Sequence, residues 1–371
     1  MTIFCCHLSY LSGTSFQEFY SFINNGRLGV NFFLVLSGFV MALSYSNKLN
    51  AKNIRQDIQF DKKRISKIYI PYLITMVLAI PLYIFDAILE EGVLNVKLLI
   101  SRLIINIGMI QAIIPFEKYS VSINEVSWFI STLFIIYLLT PGILRLNNKA
   151  AQYYTLLKLM VLIFAVLVLH CCFYMVIRQI EYVRFANCGL SIIYRNPLIR
   201  IYPFLFGIVG YNIYCFRGNF RIKKGSFIEI VAMAVFFLWW ILANRTGLPT
   251  VVTECIDMLI SMLVVLVFAF STRGIVSGLL SKEKILNLGN ISLEFYLCHN
   301  LVIKYGMIAA KYLSLDRGIA VLPLTILFFA ISLCGAFMIH YFAKWILLTL
   351  SQKKQVFSLH KGNKIDITGS K

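Results

Sequence analysis

The sequence predicts an all-α fold, a polytopic membrane helix bundle, and three observations carry that expectation. Hydrophobic residues make up 59% of the 371 positions, charged residues only 14%, and the mean hydropathy is +0.79, a balance far too apolar for a soluble domain. Apolar runs of membrane-crossing length recur along the whole chain. Between them the basic residues fall in short clusters, so the formal charge of +19 (35 Lys and Arg against 16 Asp and Glu) reads as membrane orientation and not as nucleic-acid binding.

Taken in order, the apolar spans lie at roughly 30–46, 69–87, 127–146, 158–177, 200–216, 226–243, 251–270, 288–308 and 319–340. A further run, 97–114, is interrupted by Arg102, Asn106 and Gln111 and is expected to be re-entrant or interfacial. The strongest basic loops are 47–67, 217–224 (RGNFRIKK) and the tail after Lys344. Placing all of them in the cytoplasm requires an extra element before residue 30, which yields about ten transmembrane helices with both termini inside. The outer loop 178–200 disobeys the rule, carrying Arg178, Arg184, Arg195 and Arg200. Residues 1–12 rise only about 18 Å as a helix, short of the roughly 30 Å of hydrocarbon. The expectation is therefore a truncated first helix, from a late start assignment or a shortened gene; no secretory-signal pattern is present. The domain reading is a membrane domain over 1–350 and a basic cytoplasmic tail over 351–371. Nine cysteines, paired as Cys5 with Cys6 and Cys171 with Cys172 or standing singly in apolar stretches, show no CxxC and no metal spacing with His; they are read as small core residues, with no metal site.

Several polar residues sit where chemistry could use them. His7 lies in an apolar segment, a candidate proton-transfer group. GVNFFLVLSGFVMALSY (29–45) is a Ser-Gly-interrupted membrane helix leading to KKRISKIYIPY (62–72), in which Arg64 and Lys67 stand one turn apart where the bilayer begins and can present two donors to one phosphate. Ser292, Tyr296 and His299 are spaced four and three apart and share one helix face, while Glu294 points to a different neighbour. Each has a plainer reading: a topological basic loop for Arg64 and Lys67, interhelical hydrogen bonds for the polar stripe, close helix approach for Gly38, and an interface anchor for Trp128.

The chain resembles the acyltransferase-3 family of integral membrane O-acyltransferases. The resemblance rests on His7 after an apolar run, on GVNFFLVLSGF, on KKRISKIYIPY and on LGNISLEFYLCHN (288–300), with SWFISTLFIIYLLTP (127–141) similar to a Trp-Phe variant in polysaccharide acetyltransferase members. Asn31 stands where the family usually has an acid, and Lys67 where it has a second arginine. The family's arginine about ten residues before its first-helix histidine has no counterpart, because only six residues precede His7.

The resemblance implies transfer of an acyl group, acetyl from acetyl-CoA as co-substrate with no bound cofactor, to a hydroxyl of a cell-surface polysaccharide such as lipopolysaccharide or capsule, or of its lipid-linked precursor. It assigns His7 as catalytic base, Arg64 and Lys67 to the donor, and Asn31, Ser37, Trp128, Ser292, Tyr296 and His299 to the acceptor or channel. The expected partners are the glycan and membrane lipid, without nucleic acid, in a bacterial inner membrane. Two other readings stay open: a glycan transporter or flippase, and a catalytically inactive truncated acyltransferase.

Overall fold

The computed structural model of the chain describes residues 2–8, 24–48, 54–121, 123–184, 193–218, 220–222, 225–271, 274–312 and 321–365. The described residues are 88% helical and contain no strand. Hydrocarbon explains this: without water, each backbone N–H and C=O must be paired inside its own segment. The α-helices of six or more residues among the described residues are α1 (Thr2–His7), α2 (Gly26–Tyr45), α3 (Ile54–Glu91), α4 (Val96–Ile107), α5 (Trp128–Ala151), α6 (Leu156–Arg184), α7 (Pro197–Phe216), α8 (Gly225–Leu242), α9 (Thr250–Phe270), α10 (Ile275–Leu280), α11 (Glu283–Asn290), α12 (Ser292–Tyr312) and α13 (Val321–Ile365).

Among the described residues, eight helical stretches are long and apolar enough to cross a membrane: 26–45, 56–89, 125–151, 156–180, 193–216, 225–245, 250–270 and 323–349. The expectation of about ten crossings rests on α1 and α12 in addition to these. α12 has 21 residues, about 31 Å of helix, but Glu294, His299, Asn300 and Lys304 dilute its apolar character. The expected tail boundary at 351 falls inside α13, which continues to Ile365.

α2 and α7 pack backbone against backbone. A Cβ on Gly38 would collide with the Phe204 carbonyl, and one on Gly207 with the Val35 carbonyl, so the two backbones touch where each helix has a glycine. Val35, Phe39, Phe206, Val209, Met258 and Met262 pack around that crossing and bring α9 against it. α1 lies between α2 and α12, with Phe4, Cys5 and Leu8 packed on Ile303 and Phe328.

α4 does not cross, as its interrupting polar residues predict. Its 12 residues span about 18 Å, after which the chain turns back through Met109 at φ 53°. The Tyr72 hydroxyl donates to the Asn106 carbonyl at 2.7 Å, and Gln111 Nε2 donates to the Tyr72 hydroxyl at 3.1 Å. Ser131 Oγ donates to the Met109 carbonyl at 2.7 Å and accepts from the Ala112 N–H at 3.1 Å. The residues that interrupt the apolar run thus supply the bonds that hold the fold-back in place.

The arginine-rich 178–200 segment also finds its physical account. Arg200 is fully buried and donates to Glu254 at 2.7 Å, and Arg195 meets Glu117 at 3.5 Å. Arg200 is thereby committed to a partner inside the fold, where a loop-charge count of orientation does not apply, while Arg195 pairs with the exposed Glu117. Residues 185–192 lie outside the described residues.

Candidate functional site

Two histidines from opposite ends of the sequence meet in the bundle. The His7 ring, at the last residue of α1, lies 5.1 Å from the His299 ring of α12, edge toward face at 61°. His299 is buried, and its Nδ1–H donates to the Phe295 carbonyl one turn back at 3.2 Å. That bond fixes the tautomer with the lone pair on Nε2. Nε2 is buried and has no hydrogen-bond partner among the described residues. Phe295 stacks on the His299 ring with centroids 6.0 Å apart, and Phe4 contacts it from α1 at 6.1 Å.

His299 lines an apolar cavity of about 250 Å³ bounded by Thr2, Ile3 and Phe4 of α1, by Phe33, by Ser292, Phe295 and Tyr296, and by Phe329 and Leu333 of α13. A smaller cavity of about 140 Å³ shares Phe33, Ser292 and Tyr296 with it and extends to Ser37, Phe129 and Tyr137. The expected face of Ser292, Tyr296 and His299 therefore points to one space. Tyr296 also donates to the Val126 carbonyl at 2.7 Å, so it ties α12 to the start of α5 while lining the cavity. Glu294 faces away, as its angular position requires, and accepts from His340 Nδ1–H at 2.9 Å.

At the far end of the smaller cavity Ser37 Oγ and the Tyr137 hydroxyl are 3.1 Å apart. The Arg64 guanidinium acts electrostatically on Tyr137 and lies 4.9 Å from the Tyr45 ring centre, a cation–π contact at the end of α2. Arg64 is half-buried and Lys67, one turn further, is exposed. From Arg64, α3 runs to Asp86, 22 residues and about 33 Å away, so a basic end and the histidine end are separated by the membrane-spanning length of the bundle.

Asn31 and Trp128 are placed elsewhere. Asn31 is fully buried, accepts from Arg200 Nη1 at 2.9 Å and donates to Asp257 at 3.1 Å. Arg27 meets the same Asp257 carboxylate at 3.5 Å, Trp239 Nε1 donates to it at 2.7 Å, and His170 Nε2 lies 3.1 Å from Glu254. Although an amide stands at position 31, carboxylates are present in its surroundings, contributed by α9. Trp128 is buried against Tyr194 at 5.1 Å and Phe129 at 5.9 Å.

Sequence reasoning missed a set of polar residues beside the histidines. Lys304 Nζ lies 2.6 Å from Glu125 and 3.8 Å from Asp86, and Asn300 Nδ2 donates to Glu125 at 3.3 Å. Glu125 and Lys304 both exert their charge on His7. One signal was available: Asn300 and Lys304 follow His299 at spacings of one and five on a helix that must bury its polar atoms.

A bundle of apolar helices that sets the buried His299, in ring contact with His7, at the wall of an apolar cavity defines an integral membrane protein with an enzyme-like interior. The acyltransferase domain family model matches residues 1–341, and the chain belongs to this family of membrane O-acyltransferases. Neither curated proteins nor solved structures yield a match. Membership establishes a multi-pass membrane acyltransferase.

Proposed function

We propose that the protein transfers acetyl from acetyl-CoA to a hydroxyl of a cell-surface polysaccharide or of its lipid-linked precursor, in a bacterial inner membrane with the Arg64 end and both termini on the cytoplasmic side. The observation that carries this reading is the His7–His299 contact at the wall of an apolar cavity whose continuation leads toward Arg64. Arg64, held by Tyr45, and Lys67 attract the phosphates of the donor; Lys67 acts as a point charge without the planar fork of arginine. The uncharged arm of the donor passes between Phe33, Tyr137 and Tyr296, and its thioester reaches the histidines from the apolar side.

A sugar hydroxyl is a weak nucleophile until its proton leaves. His7 accepts that proton as the hydroxyl oxygen attacks the thioester carbonyl. The new C–O bond forms, the C–S bond breaks, and the departing thiolate takes the proton back from the imidazolium, so acceptor ester and free thiol are the balanced products. His299 keeps its Nε2 lone pair toward the reacting groups through the Phe295 bond and orients His7 by ring contact. Exclusion of water by the surrounding Phe4, Phe295 and Phe329 disfavours hydrolysis of the thioester.

The test is ester-sensitive mass spectrometry of surface glycan from cells carrying the intact chain, a His7→Ala version, or no copy. Ester that depends on the intact chain is the expected result. Identical, ester-free glycan in all three strains would overturn the reading for that glycan, and acetyl-CoA consumption separates transfer from transport.

A further inference from the structure

His299 and the residue after it face different spaces. His299 lines the apolar cavity; Asn300 lines a second cavity of about 230 Å³ together with Tyr83, Asp86, Arg102, Glu125 and Lys304. The two spaces differ in chemistry, the first walled by phenylalanines and the second by charged and hydroxylic side chains; His299 lines the first, and Glu125 and Lys304 in the wall of the second act electrostatically on His7, whose ring contacts His299. From this we infer that the second cavity is the acceptor subsite, and that its ligand is an uncharged, hydroxyl-rich sugar residue. The inference rests on the acyl-transfer reading and adds the location and chemistry of the acceptor.

Three features fix the ligand class. The cavity balances two carboxylates with two cations, and both cations are already committed: Lys304 bridges Glu125 and Asp86, while Arg102 donates to the Lys118 carbonyl at 2.6 Å and to the Tyr83 hydroxyl. With two carboxylates against two cations the lining offers no excess positive charge to a phosphate or carboxylate, whereas a hydroxyl can both donate and accept beside these groups. The second feature is Asn300, 1% exposed, whose Nδ2 is spent on Glu125 while Oδ1 is buried with no partner among the described residues. A buried acceptor of this kind is costly unless a donor arrives, and a sugar O–H supplies one. The third is size, since 230 Å³ lies below the roughly 300–1,000 Å³ of sites for drug-sized ligands and suits one sugar ring at the end of a longer glycan. Glu125, which acts on His7 electrostatically, is then a positioning residue for the hydroxyl that His7 deprotonates.

The experiment uses the full chain in lipid nanodiscs with a set of methyl hexopyranosides as probes. Ala87 is half-buried at the cavity rim, so alkylation of Ala87→Cys by a maleimide reads occupancy independently of any acyl transfer. The expected result is slower alkylation with at least one glycoside and none with a phosphate monoester. In parallel, Asn300→Ala and Asp86→Asn raise the KM for that glycoside about tenfold while the KM for acetyl-CoA stays in place. Alkylation unaffected by every glycoside overturns the inference, as does an unchanged glycoside KM in both variants, and protection by phosphate monoester alone would assign the cavity to an anion instead. Glycoside protection without any acetyl-CoA consumption by the wild type would leave the subsite standing and overturn the acyl-transfer reading. Asp86, partly exposed in the wall, keeps the test informative if Asn300→Ala fails to fold.

Discussion

Around Asn31 buried charges are paired across three helices, whereas beside His299 two buried polar atoms stand on cavity walls, and both regions lie inside the same bundle. In the first, Arg200 meets Glu254 at 2.7 Å, Arg27 meets Asp257 at 3.5 Å, and Asn31 bridges Arg200 to Asp257. In the second, His299 Nε2 and Asn300 Oδ1 are buried and unpartnered among the described residues, each on the wall of a cavity. The first region joins α2, α7 and α9 through charge pairs, although His170 Nδ1 there is also buried without a hydrogen-bond partner among the described residues. The second also contains a charge pair, Lys304 with Glu125, but sets His299 Nε2 and Asn300 Oδ1 against cavities. In a low-dielectric interior a matched network fixes helix positions, while an unmatched polar atom beside a cavity is a place for a ligand.

That contrast is open to direct test, and the largest effect belongs to the matched network. Glu254→Ala strips Arg200 of its buried counter-charge and is expected to lower stability by about 3–5 kcal/mol, seen as a fall in thermal midpoint and in monodisperse yield from detergent. An unchanged midpoint would dissolve the contrast. His299→Ala should act mainly on the chemistry, with glycan ester formation falling by about 10²-fold and a fall in thermal midpoint smaller than that of Glu254→Ala. A matching loss of stability would make His299 a structural residue. A charge swap sharpens the first region: Asn31→Asp sets a carboxylate against Asp257 and should cost about 1–3 kcal/mol, and adding Asp257→Asn should restore most of it, because the pair then has the same atoms in exchanged positions. If the double variant is no better than the single, the two side chains are not coupled. The smallest effect is expected from Tyr137→Phe, which removes the hydroxyl facing Ser37 and costs about 1 kcal/mol in the thermal midpoint.

The regions also differ in how far the sequence announces them. Ser292, Tyr296 and His299 share a face by helical arithmetic and line one cavity in the structure; Glu294, off that face, finds His340 instead. The same arithmetic says nothing of Asn31, whose partners Arg200 and Asp257 lie 169 and 226 residues away. Nor does it gather Asp86, Glu125 and Lys304, which come from three separate segments. Trp128 and Arg195 read as outer-end or loop residues, and packing against Tyr194 and Glu117 gives them buried or paired positions.

By itself the sequence determined the membrane class, the helical segments, the non-crossing 97–114 stretch and the candidate histidine, because hydrocarbon forces apolar content and helix length to appear locally. Only the tertiary structure decided that His7 meets His299, that Asn31 belongs to an ion network, and that the neighbours His299 and Asn300 line two cavities of opposite character. Those facts depend on which helices become neighbours, and neighbours are chosen by packing and buried charge between segments far apart in the chain.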